Sequence, residues 1–200
     1  TIEAPTAAGL DQLAALTGFV TEEGAASLTI RTVGTHNKLG DKKIWKKLPK
    51  ELLTQPFRID YVLKVPRFLD LNINGGSGDL DISGVEGSIR VSFATTKGRI
   101  VLVGGGLSAQ IGEGSLDVLF PARNWRSSMV EAQIAKGDLT VTFPHNLNAD
   151  IDAAALNGGS VVNQFPALKV RDDRNPFTDQ HIDARVGNGG VPIKLTTGNG

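Results

Sequence analysis

Apolar and polar residues alternate along most of the second half of this chain, and glycine interrupts the alternation at regular intervals. Gly114–Pro121 (GSLDVLFP) and Gly137–Pro144 (GDLTVTFP) nearly repeat at an offset of 23 residues. Each copy is a turn glycine followed by Leu, Val or Phe on one face and Ser, Asp or Thr on the other. A period of two marks a β-strand with one buried face. Such a strand cannot bury that face alone, whereas stacked copies can, so regular spacing of similar strands predicts a repeating stack.

The spacing extends in both directions. At an offset of 20, Leu69, Leu71 and Ile73 align with Ile89, Val91 and Phe93, and Gly78, Leu80, Ile82 and Gly84 align with Gly98, Ile100, Leu102 and Gly104. At 23, Leu107, Ala109 and Ile111 align with Val130, Ala132 and Ile134; at 22, Gly137, Leu139 and Phe143 align with Gly159, Val161 and Phe165. Strand pattern returns at Ile182–Val186 and Val191–Leu195. Together these predict an all-β fold, a parallel β-helix or β-solenoid with 20–23 residues per coil over residues 57–200. Parallel pairing at an offset of 20 sets Asp70 against Arg90 and Asp79 against Arg99, surface ion pairs that would hold register. An antiparallel sandwich with a coincidental period is the alternative, since short strands and glycine turns suit both.

Residues 1–56 lack the repeat. They contain a helical stretch at Leu10–Leu16, a strand-like run Ser27–Val33 and a lysine-rich segment ending at Pro56. This is the pattern of an irregular N-terminal cap with first strands of the same domain, because a stack end leaves apolar surface and unpaired backbone groups.

Composition narrows the function classes. The 24 glycines favour short strands and tight turns over helices. Basic and acidic residues, 21 each, cancel, so no whole-chain field draws the protein to nucleic acid. The absence of cysteine removes disulfides, thiolate metal sites and a cysteine nucleophile. No apolar run approaches the roughly 20 residues that cross a bilayer. With Thr1 first and no signal peptide, the chain reads as a processed or trimmed soluble piece.

Candidate chemistry is sparse. His36, His145 and His181 have no ligand-spaced neighbours and read as surface or turn residues, so no metal and no cofactor is expected. No serine elbow is present. Gly75–Asp81 is similar to the calcium-binding glycine-rich nonapeptide, but Leu80 stands where that motif needs Asp. Asp150 and Asp152 share a strand face and read as a solvated acidic pair, with loose cation binding as the alternative. Two segments carry binding expectations. Lys42–Lys50 places five lysines, Lys43, Lys46 and Lys47 among them, around Ile44, Trp45 and Leu48, suited to an anionic polymer or headgroups or to a wet cap over the core. Arg123, Trp125 and Arg126 lie between the two near-identical blocks, where a loop would bulge and Trp could stack on a sugar ring or pack over the coil. Arg171–Pro176 reads as a self-paired charged loop.

The glycine turns of Gly75–Ile89, with Gly98–Ile100, Gly114–Leu116, Gly137–Leu139 and Gly187–Gly190, resemble those of bacterial adhesin-like β-solenoid domains, a group mostly of unknown function. The resemblance covers residues from about Tyr61 to the C-terminus. It implies a right-handed parallel β-helix in an exported, periplasmic or cell-surface bacterial protein, with no catalytic residues to carry over. The expectation is therefore a noncatalytic adhesin-like protein that binds a cell-wall polysaccharide or an envelope protein, makes peripheral envelope contact, or acts as a spacer. A polysaccharide-degrading β-helix enzyme, a lyase or glycosidase, and a self-assembling scaffold are the alternatives.

Overall fold

A computed structural model describes residues 6–35, 46, 49–54, 58–121 and 128–200. The chain divides into two compact units at Lys64/Val65, where the sequence pattern had placed a change at residue 56.

In the first unit a helix runs over Ala7–Leu16, starting three residues before the expected stretch. The Thr6 side chain accepts a hydrogen bond from the Gly9 N–H at 3.1 Å, and Ala7 and Ala8 propagate the first turn well. Strands β1 (Gly18–Glu23) and β2 (Leu28–Val33) form an antiparallel hairpin with Gly18 opposite Val33. The Gly24 N–H donates to the Ser27 carbonyl at 2.8 Å and closes the turn. Only β2 was expected; β1 begins with glycine and ends with two glutamates, residues that strands disfavour. Tyr61 secures the hairpin, its hydroxyl 2.8 Å from Thr32 Oγ1 and its ring edge-on to Phe19. A one-turn helix, Lys50–Leu53, buries Leu52.

The second unit is mostly β. Its strands are β3 (Leu71–Ile82), β4 (Glu86–Val101), β5 (Gly104–Leu119), β6 (Val130–Thr142), β7 (Ala149–Ala155), β8 (Lys169–Val170), β9 (His181–Val186) and β10 (Val191–Asn199). They form one sheet in the order β3-β4-β5-β6-β10-β7-β9-β8. Pairing is parallel from β3 through β7, which rules out the antiparallel sandwich; β9 on β7 and β8 on β9 are antiparallel, so the sheet is mixed.

The register corrects the expected spacing. Leu71 pairs with Ile89 and Ile89 with Leu107, an offset of 18 at both steps, and only the β5–β6 step has the expected 23. A slip of two residues keeps every side chain on its own face, so matching apolar positions cannot tell 18 from 20. Packing can. At 18, Phe93 faces Gly75, and the Phe93 ring fills the space that a Cβ on Gly75 would take. The expected ion pairs change accordingly. Arg90 faces Asn72, Asp70 accepts from the Ser88 N–H at 2.7 Å, Asp79 faces Lys97, and Arg99 lies 3.9 Å from Asp81.

The long strands bend. In β4 the inward positions are Ile89 and Val91 before Ala94–Thr95 and Thr96, Gly98 and Ile100 after it, because Ala94 and Thr95 are both exposed. Gly112–Glu113 in β5 and Ala135–Lys136 in β6 repeat the switch, so each strand lines two walls of one core. That core holds Ile89, Ile100, Leu116, Ile134 and Ile193, with Phe143 tilted against Phe120 and edge-on to Phe165 at centroid spacings of 5.2 and 5.9 Å.

The C-terminal strand completes the sheet in an unexpected place. Ile193 of β10 pairs with Val130 of β6 on one side and Ile151 of β7 on the other, so β7 does not follow β6 in space. Of the matches at offset 22, Phe143 does meet Phe165, but Gly200 stands between Gly137 and Gly159: a Cβ on Gly200 would meet the Gly137 carbonyl, and Ser160 N–H donates to the Gly200 carbonyl at 2.9 Å.

Candidate functional site: an uncharged groove across the strands

The outward positions before the bend fall into rows that cross the strands about 4.8 Å apart. One row is Asn74, Ser92, Gln110, Gln133 and Thr196, carried by β3, β4, β5, β6 and β10 in register. It contains only amides and hydroxyls. Asn74 Nδ2 donates to Asn72 Oδ1 at 3.2 Å, which holds the end of the row against the strand. Beside the row the chain turns through small residues, and an open groove of about 320 Å³ is lined by Ser92, Gln110 and Gln133 with Phe93, Ile111, Gly112 and Ala135. Just past the bend, Lys136 Nζ lies 3.1 Å from Glu113 Oε1, so the charged border of the groove is neutralised internally.

The outward rows beyond the bend differ. Asp81, Arg99 and Asp117 stand in register, as do Asp79, Lys97, Ser115 and Asp138. Opposite charges on adjacent strands offset one another and add register rather than a field for a ligand.

Asp150 and Asp152 each have a basic partner on β9, and Asp152 stays exposed. Arg185 Nε donates to Asp150 Oδ1 at 2.7 Å and Gly190 N–H to Asp150 Oδ2 at 3.1 Å, while His181 Nε2 is 3.0 Å from Asp152 Oδ1. The Arg185 hydrogen bond, followed by the Gly190 N–H, holds the Asp150 carboxyl below its ordinary value of 3.8. A depressed carboxyl stabilises the fold above its unfolded pKa, and the contribution is lost as pH falls through the lower folded value. Arg185→Gln is expected to return Asp150 toward 3.8 in a carbon-detected NMR titration. It is also expected to lower the melting temperature more at pH 7 than at pH 2; an equal loss at both would detach the effect from ionisation.

Among the described residues no three His, Asp or Glu are grouped to hold a metal ion. His145 stacks on Phe165. Arg171–Pro176 is only partly self-paired: Asp172 accepts from the Arg174 N–H at 3.0 Å, but Arg171 reaches Asp183 at 3.6 Å. Of the expected binding residues, Lys46 is exposed. Trp45, Lys43 and Lys47 lie outside the described residues, as do Arg123, Trp125 and Arg126. The five-residue excess of the β5–β6 offset over the other two falls in the connection that contains residues 122–127. The groove residues were missed, although a signal existed: Ala109–Gln110–Ile111 and Ala132–Gln133–Ile134 are identical triplets at the offset of 23. Attention to the apolar matches alone passed over the glutamines between them.

No family model, curated protein or solved structure matches the chain. No helix among the described residues is long and apolar enough to cross a membrane.

Proposed function

We propose that residues 65–200 form a short β-solenoid whose uncharged groove binds an extended neutral polysaccharide, and that the protein is noncatalytic. The row Asn74, Ser92, Gln110, Gln133 and Thr196 carries this reading, since it offers a donor or acceptor on each of five adjacent parallel strands without a net charge to desolvate. Right-handed crossovers are the rule for parallel strands of one sheet, which supports a right-handed winding. Glycoside hydrolysis needs two carboxylates flanking the scissile bond. No carboxylate lines the groove among the described residues, and Glu113, next to groove-lining Gly112, is paired with Lys136. The resemblance to bacterial adhesin-like β-solenoid domains supports, within the same proposal, an exported or cell-surface setting.

Co-sedimentation of the protein with insoluble neutral and acidic polysaccharides, at low and high salt, tests this. Retention on a neutral polymer, insensitive to salt and lost in Gln110→Ala/Gln133→Ala, is the expected result. Retention only on acidic polymers and only at low salt would move the binding to Lys42–Lys50, and activity on any of the polymers would replace a binding module with an enzyme.

A further inference from the structure

Among the described residues the sheet has one long free edge: β3 pairs with β4 through eleven of its twelve residues and with no other strand. Signs of a missing neighbour run along it. Ile89 and Val91, the β4 residues in register with Leu71 and Ile73, are buried, while Leu71, Ile73 and Leu80 of β3 are only half-buried. A Cβ on Gly112 or Gly114 would meet the carbonyl of Ala94 or Thr96 on the preceding strand; Gly76 and Gly78, the β3 members of the same rows, have open space there. Phe68, just before β3, is 74% exposed. A long edge with unpaired backbone groups is a template for another strand.

The apolar and polar pattern of this edge reads the same in both directions. About the point between Gly76 and Ser77, Leu71 mirrors Ile82, Asn72 mirrors Asp81, Ile73 mirrors Leu80, Asn74 mirrors Asp79 and Gly75 mirrors Gly78. The bend lies at the same point. Inward positions are Leu71 and Ile73 before it and Leu80 and Ile82 after it, so a reversed copy keeps every inward residue inward. We propose that a second copy of this chain pairs with β3 antiparallel across its free edge, forming a closed two-fold dimer in which the two cores continue into each other.

Charge supports this occupant. In the reversed register each Asp faces an Asn, Asp79 opposite the partner's Asn74 and Asp81 opposite the partner's Asn72, so two acceptor carboxylates meet amide donors and no like charges oppose. The same reversal applied to β4 would set Arg90 against Arg99. A two-fold contact uses the edge once and closes. At the other end of the sheet β8 is two residues long, which gives a head-to-tail filament little edge to grow on.

The test is the mass of the full chain by sedimentation velocity with light scattering, across a hundredfold range of concentration. Wild type is expected at twice the 21.1 kDa chain mass. Asn72→Asp/Asn74→Asp sets Asp against Asp at four places and is expected to weaken association at least tenfold, with the circular dichroism spectrum unchanged because both positions are exposed. Adding Asp79→Asn/Asp81→Asn restores the Asn-to-Asp pairing and the dimer. A monomeric wild type, growth into higher oligomers, or a dimer indifferent to the Asn72/Asn74 variant would each overturn the proposal. In the cysteine-free chain, Ser77→Cys, next to the two-fold, is expected to form a disulfide-linked dimer on mild oxidation, whereas the same change at Thr140 on β6 is not.

Discussion

Truncation after Gly190 is expected to unfold the second unit as a whole rather than to trim a terminus. β10 has hydrogen-bonded neighbours on both sides, β6 through Val130–Lys136 and β7 through Ala149–Ala155. Its Ile193 is 1% exposed. Without it β7, β9 and β8 lose their connection to the parallel strands, and the core is opened between Val130 and Ile151, the two buried partners of Ile193. Domains are stable by only about 5–15 kcal/mol, and loss of a central strand with its buried side chains exceeds what such a margin tolerates. Thermal melting by circular dichroism of the chain ending at residue 190 is expected to show no cooperative transition. A native spectrum with a melting temperature a few degrees lower would mean that β10 is peripheral.

The second large effect is at Gly137. It has φ +125°, and a Cβ built on it would enter the carbonyl of Gly114, one strand away. Gly114 stands in the same relation to Thr96, so the row is a close-approach line running through the stack. Backbone strain of this kind costs about 1–3 kcal/mol for a non-glycine residue. At Gly137 the ladder must also open, and Gly137→Ala is expected to cost about 3 kcal/mol or more. Gly190 is the control, with the same φ of +125° and nothing within 4 Å. Chemical denaturation of Gly137→Ala and Gly190→Ala separates the two contributions: a clear excess loss at Gly137 is expected, and equal losses would leave strain as the whole cause.

Much of this architecture is legible in the residues. Period-two alternation with turn glycines marked β3 to β6 as strands, and the GSLDVLFP and GDLTVTFP blocks fixed the β5–β6 register, because glycine, leucine and phenylalanine coincide there. The other two registers were two residues out. Apolar matching is blind to an even slip, and the deciding fact, a glycine opposite Phe93, is a matter of volume rather than polarity. The place of β10 was not legible at all. Val191–Leu195 reads as a strand, yet the residues it pairs with lie 63 and 42 positions earlier, and local pattern carries no information about so long a return.

The candidate site follows the same division. Gln110 and Gln133 were readable as a repeated outward residue, whereas Thr196 joins their row only through the return of β10. The acid pair at Asp150 and Asp152 misled, because the residues that occupy it, Arg185 and His181, come from an antiparallel strand some thirty residues on.

Binding of a neutral sugar polymer in the Ser92, Gln110 and Gln133 groove is best tested by the side-chain amide NMR spectrum of the protein titrated with soluble neutral oligosaccharides of increasing length. Saturable shifts are expected at Gln110 and Gln133, with affinity rising with length until the five-strand row is spanned and little change with salt. Unmoved glutamine amides while a sugar binds elsewhere on the chain would contradict it.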